Sequence, residues 1–272
     1  MFKTFFKSEL QYHLRKPITY VYLVIFFFIE FIAIVLNPDA GGRVLRNAPY
    51  QLHHQILQLS FFSLFIVFAF VNQTALKDYK NKFDEILFTT PLKRSGYFFG
   101  RFFAVVFLAT FPAVAGYLGF IIGSWLAPIF GWAGPERFGP FHIETFLGNY
   151  FLFILPNAFI LSSMMYALAM KWKHSAAALL IIVFFIGMSV LAQVLEVDPT
   201  EKTVSGFLDM TGVSAFRNAS KYLNITEKHT SVMLYSKQIF WNRLIWISTA
   251  AGMLFISYST FTMRKNKSKK HP

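Results

Sequence analysis

Apolar residues along the chain gather into long stretches separated by short polar ones, and that pattern predicts helices that cross a membrane. A spanning helix needs about 20 predominantly apolar residues. Six stretches qualify: 18–36, 56–75, 98–128, 148–170, 176–195 and 240–262. The third, from Phe98 to Pro128, is longer than a span needs and is read as tilted or entered through an interfacial turn. The first is read as retained, because its apolar run is long and no small-residue cleavage site follows Leu36. Residues 2–14 place Phe2, Phe5, Phe6, Leu10 and Leu14 on one helical face and Lys3, Lys7, Gln11 and Arg15 on the other. That spacing predicts an amphipathic interfacial helix over 1–16, with a bend at Pro17.

The polar stretches carry their own signals. Residues 37–55, rich in Gly, Pro and Asn, are read as a turn-rich outer loop. In the loop 76–97, the segment from Tyr79 to Phe88 is predicted as a short amphipathic helix, with Tyr79, Phe83, Ile86 and Leu87 apolar and Asp84 and Glu85 acidic. Pro91 ends it. The segment 196–239 interleaves Phe207, Leu208, Met210, Val213, Phe216, Tyr222 and Leu223 with polar positions. It is read as short helices on the outer membrane surface, because it is too small for a core of its own. The fold class expected is all-α: a single polytopic membrane domain over 1–272, with six transmembrane helices and an N-terminal amphipathic interfacial helix.

Composition narrows the choice further. Of 272 residues, 55% are hydrophobic and 14% charged, where a soluble domain carries about 25% charged residues. Disorder is excluded by this apolar content. The absence of Cys excludes a disulfide scaffold and a thiolate metal site. The net charge of +13 is borne on a membrane-like background, so it points to the lipid surface and away from nucleic acid. With the N-terminus in the cytoplasm, 17 of the 26 Lys and Arg residues fall on the cytoplasmic side, five of them after Met263. The acids show the opposite bias. Both termini are therefore expected in the cytoplasm of a plasma-membrane protein.

Candidate chemistry is sparse. There is no GxxxxGK[ST], no HExxH and no GxSxG, which argues against a Walker-type nucleotide site, a zinc-peptidase helix and a serine-hydrolase elbow. His53 and His54 are adjacent, and neighbours on a helix do not face the same way. No metal site is expected. Glu30 and Asn157 are the intramembrane polar candidates. Ala115, Gly119 and Gly123 recur at four-residue spacing and make a smooth helix-packing face. Pro112 and Pro156 are expected to kink their spans.

The loop DEILFTTPLKRSGYFFGRF, set after span two in a six-span chain with an amphipathic N-terminal helix, resembles the permease subunits of ABC-2 type ABC transporters. The matching residues are Glu85, Ile86, Leu87, Thr89, Thr90, Pro91 and Gly100-Arg101. FTTP before YFFGRF, GPF at 139–141, LPN at 155–157 and FWNRL at 240–244 are closest in look to the membrane part of bacterial permeases fused to a zinc aminopeptidase-like domain. The chain has six spans and no HExxH, so it is read as a half-sized relative or the first half of such a system, and peptidase activity is not carried over. The resemblance implies an exporter subunit without enzymatic activity of its own. Tyr79, Phe83, Asp84, Glu85, Ile86, Leu87 and Pro91 would couple it to a separate ABC ATPase subunit. That partner would hold ATP and magnesium, and this chain no cofactor. A second permease half, a homodimer partner or a homologue, and membrane lipids are the other partners implied. The alternatives are a secondary transporter or channel relying on Glu30, and a membrane scaffold that moves nothing.

Overall fold

A computed structural model describes residues 1–36, 44–197, 202–230 and 236–263. The described residues form an all-α protein with six helices long and apolar enough to span a membrane. Helix α1 (Phe2–Leu14) is followed by α2 (Pro17–Leu36), α3 (Pro49–Lys80), the short α4 (Asp84–Leu87) and α5 (Arg94–Ile129). Then come α6 (Ile143–Asn149), α7 (Leu155–Trp172), α8 (Ser175–Val197), three short helices α9 (Lys202–Leu208), α10 (Val213–Ser220) and α11 (Ile225–Thr230), and α12 (Lys237–Thr260).

Helix α5 is the hub, packing against α1, α2, α3 and α7. Helix α7 in turn carries α8 and α12. The main core joins α3, α5, α7 and α12 through Phe70, Phe98, Phe102, Met165 and Tyr166, all buried. Helix α2 sits at the edge on α5 and presents Val21, Val24, Ile25, Phe28 and Ile32 outward, as a lipid-facing helix does.

The small-residue face of α5 is used within the chain. A Cβ added at Gly119 would collide with the Phe27 carbonyl oxygen, and one at Gly123 with the Ile34 side chain. A Cβ at Gly116 would lie 2.7 Å from Leu59 Cδ1 and 3.2 Å from Glu30 Cγ, whereas Ala115 is only half-buried. Glycines let two backbones close in where dispersion contacts replace any hydrophobic drive. Gly96 and Gly100 continue the device toward the helix start, where they seat α1: a Cβ on Gly100 would lie 2.9 Å from the Phe2 carbonyl oxygen.

Several expectations need correcting. Residues 49–55 are helical, because Pro49 opens α3 at its first turn and the polar QLHHQ run is largely buried under neighbouring elements. Residues 37–43 of the expected loop lie outside the described residues, as does the basic tail from Arg264. Helices α3 and α5, of 32 and 36 residues, are about 48 and 54 Å long at 1.5 Å per residue. They therefore outrun a hydrocarbon core of about 30 Å and carry structure beyond it. Pro112 leaves α5 unbroken, whereas Pro156 is preceded by a π-helical turn, Tyr150–Ile154. A wider turn accommodates the missing N–H and the ring of a proline. The segment after α8 is built into the end of the bundle: Ala215 and Phe216 are buried with Leu57, Phe153 and Ile239. Only Tyr222 of its predicted apolar set projects freely, 85% exposed. An Asn224–Glu227 capping box starts α11, with reciprocal side-chain to backbone bonds of 2.8 and 2.7 Å.

Candidate functional site

The loop between spans two and three is shorter in helix than the periodicity predicts. Tyr79 belongs to the last turn of α3, and Lys82 turns the chain with φ 54°, a left-handed conformation. The Phe83 amide then donates to the Asp78 carbonyl at 2.8 Å, and α4 covers Asp84–Leu87 alone. The Thr89 and Thr90 hydroxyls close it by donating to the carbonyls of Ile86 (2.7 Å) and Leu87 (2.6 Å), and Pro91 follows, exposed. Side-chain bonds to the last carbonyls satisfy groups that a helix end leaves unpaired.

The predicted coupling residues divide into two groups. Phe83 is 49% and Ile86 65% exposed, and Glu85 is exposed beside them. Tyr79 and Leu87 are anchors, not contact surface: both pack on the main core, and Tyr79 meets Phe88 at 6.4 Å between ring centroids. The Lys173 ammonium lies 4.6 Å over the Tyr79 ring, pinning the loop to the end of α7. Asp84 is half-buried.

Directly beneath lies a buried ion cluster that sequence reasoning missed. Arg101 is 1% exposed and Glu9 3%. Arg101 Nε pairs with Glu9 Oε1 at 2.9 Å, and Lys77 Nζ reaches the same oxygen at 2.6 Å. Arg101 Nη1 pairs with Asp78 Oδ2 at 2.5 Å, and the Tyr97 hydroxyl donates to that oxygen at 2.8 Å. The guanidinium also donates to the Thr74 carbonyl and the Tyr97 hydroxyl. One arginine thus joins α1, α3 and α5.

The buried stripe of α1 is accordingly polar. Glu9 and His13 are its buried residues, while Phe5, Phe6, Leu10 and Leu14 are half-buried around them and Phe2 is exposed. His13 Nε2 lies 2.8 Å from Thr74 Oγ1, and the Thr19 hydroxyl donates to the His13 carbonyl at 2.7 Å. Burial, then the nearby Lys77, Lys16 and Arg101 charges, push the His13 pKa down to about 4. A signal was present: Glu9 and His13 stand four apart on one helical face, and Arg101 interrupts an apolar run four residues after Tyr97.

A second polar cluster lies at the opposite end of the bundle. Asn157 is buried, as intramembrane depth demands. Its amide donates to Ser60 Oγ (3.1 Å) and the Thr211 carbonyl (3.2 Å), and its Oδ1 accepts from Arg243 Nη1 at 2.5 Å. Arg243 Nη2 also donates to the Met210 carbonyl at 2.8 Å, and Asn242 Nδ2 donates to the carbonyls of Gly206 (2.7 Å) and Asp209 (2.8 Å). The Asp209 carboxylate accepts from the Thr211 amide and hydroxyl and from the Ser214 amide, at 2.7 to 2.9 Å. These side chains tie α7 and α12 to the turn between α9 and α10. Arg243 and Asn242 lie in the FWNRL motif that the sequence marked without assigning them a task. Beside this cluster, between α3, α8 and α10, opens a cavity of about 430 Å³ lined by both polar and aromatic residues.

Glu30 is 4% exposed in α2, facing α5, and has no hydrogen-bond or ion-pair partner among the described residues. His53 is buried with Nδ1 2.5 Å from Asn149 Oδ1, a structural pairing between α3 and α6. Among the described residues, no cluster of His, Asp and Glu is spaced to hold a metal ion. No family model matches the chain, and the search of curated proteins gives no match.

Proposed function

We propose that the chain is the membrane-spanning permease subunit of an ABC-2 type ATP-binding cassette transporter, an exporter of the plasma membrane with its N- and C-termini in the cytoplasm. A separate ATPase subunit docks on α4 and holds the ATP and magnesium, and a second permease half completes the pathway. The observation that carries this reading is an exposed tip, Phe83, Glu85 and Ile86, on a short helix whose base is anchored in the bundle through a buried ion cluster. Nucleotide hydrolysis takes place in water, and its work reaches the spans only through a stiff contact. A tip carrying Asp84 and Glu85 is repelled by an anionic inner leaflet, which favours a protein groove over lipid as its seat.

The test is co-purification of the tagged chain from its native membrane, beside a variant carrying Glu85→Lys and Ile86→Asp. Both positions are exposed, so the variant keeps the fold. A Walker-containing ATPase that accompanies the parent and is lost from the variant supports the reading. An ATPase that binds both equally, or none with either, overturns it. Glu30 favours a second reading, a proton-coupled carrier, because an acid without a partner inside a span is a candidate proton site. Flux that needs no ATP and is lost in Glu30→Gln would support that carrier instead.

A further inference from the structure

The cavity between α3 and α8 lies near one end of two candidate spans. Gln58 lies about 14 Å along α3 from Pro49, and Gln193 about 6 Å from the end of α8, at 1.5 Å per residue. Both glutamines are exposed and both line this one cavity. Neither amide has a hydrogen-bond partner among the described residues. Wherever the flank of a span meets hydrocarbon, unpaired amides are costly. Their convergence on a single cleft is explained by a bound polar group that pairs with them. Ser189 adds a hydroxyl one turn along α8 from Gln193. Phe61 and Phe62, 37% and 51% exposed, continue the wall of the cleft along α3 with apolar surface.

The charges select the head group. The Asp209 carboxylate at the wall already accepts three hydrogen bonds. The cation at the wall, Arg217, is 3.6 Å from the Glu196 carboxylate. The wall thus carries donors, acceptors and one carboxylate beside a paired guanidinium, with no net positive charge to select an anion. The volume of about 430 Å³ falls within the range of small-molecule sites, about 300–1,000 Å³.

We propose that this cleft binds an amphiphile with an uncharged, hydroxyl-rich head and a hydrocarbon tail. The head pairs with Gln58, Ser189 and Gln193, and the tail runs along Phe61 and Phe62 into the bilayer. The site goes beyond the permease reading: it lies at the far end of the bundle from α4, and its test needs no ATPase.

The experiment uses the full chain in lipid nanodiscs and a photoreactive alkyl glucoside as probe, with the labelled positions mapped by mass. Two competitors are compared, an unlabelled alkyl glucoside and an alkyl phosphate of equal chain length. Saturable labelling on 58–62 or 189–193 is expected, displaced by the glucoside at concentrations at least about tenfold lower than by the phosphate. The double variant Gln58→Leu, Gln193→Leu is expected to lose about tenfold in affinity. Leucine at membrane-facing positions suits the fold. A second variant, Ser189→Trp, fills the cleft and is expected to abolish saturable labelling. Three results overturn the proposal: labelling that does not saturate, labelling unchanged in both variants, or equal displacement by the phosphate, which would make Arg217 the head-group residue.

Discussion

Arg101 is the residue on which the cytoplasmic-side cluster turns. It faces two carboxylates, Glu9 and Asp78, from inside the fold. A buried ion pair contributes little net stability, but removing one partner leaves a charge in a poor solvent and costs about 3–5 kcal/mol. Arg101→Leu is therefore expected to lower stability by that amount and to release α1, measured as thermal unfolding in detergent and as protease cleavage within residues 2–14. Lys77→Met removes only a partly exposed ammonium and is expected to cost less than about 1 kcal/mol. His13 adds a pH dependence. Its folded pKa of about 4 lies below its ordinary value of 6.5, so between those values the unfolded chain binds a proton that the folded chain excludes. Stability should be level above pH 6.5 and fall as the pH drops from 6.5 toward 4. His13→Gln can keep the bond to Thr74 and is expected to flatten that part of a melting-temperature profile.

Helix α5 acts as a two-ended rack, with Gly96 and Gly100 seating α1 and Gly116, Gly119 and Gly123 seating α2. The contact at Gly119 is to backbone, which cannot swing aside. Gly119→Ala is expected to cost about 1–3 kcal/mol through overpacking. Gly187 in α8 is the control, because a Cβ there meets nothing within 4 Å. Gly187→Ala is expected to be neutral or to stabilise by up to about 1 kcal/mol, from helix propensity alone. Paired melting curves check the contrast; equal losses would mean that α2 does not seat on α5 as described. The small-residue face is thus occupied by α2, so a second permease half would have to meet other surfaces.

At the scale of the molecule, the charge bias and the two long helices define an axis. The ends of α3 and α5 that hold the ion cluster and α4 share a side with α1, and the α9–α11 segment lies at the other end. The absence of native Cys makes orientation directly testable. Lys82→Cys and Tyr222→Cys place single thiols at exposed positions on opposite ends. A membrane-impermeant maleimide on intact cells is expected to label Tyr222→Cys, and Lys82→Cys only after permeabilisation. The reverse pattern would place α4 outside and remove it from reach of any cytoplasmic ATPase.

The sequence by itself determined the six spans, the N-terminal helix and the short helices after α8. These follow from local composition, because a bilayer demands about 20 apolar residues per crossing and a 3.6-residue period shows in the side chains. It also located the polar site in part: Asn157 stood out because polar groups inside a span need partners. Only the tertiary structure decided which partners those were. Arg243 and Asn242 lie some 85 residues along the chain from Asn157, and no local pattern links such positions. The same holds for Glu9, whose partners Lys77 and Arg101 come from two other helices. The division of the α4 loop into the exposed Phe83 and Ile86 and the anchoring Tyr79 and Leu87 was equally out of reach. Periodicity marks an apolar face but carries no information on what covers it, and here the end of α7 and the main core cover half of it.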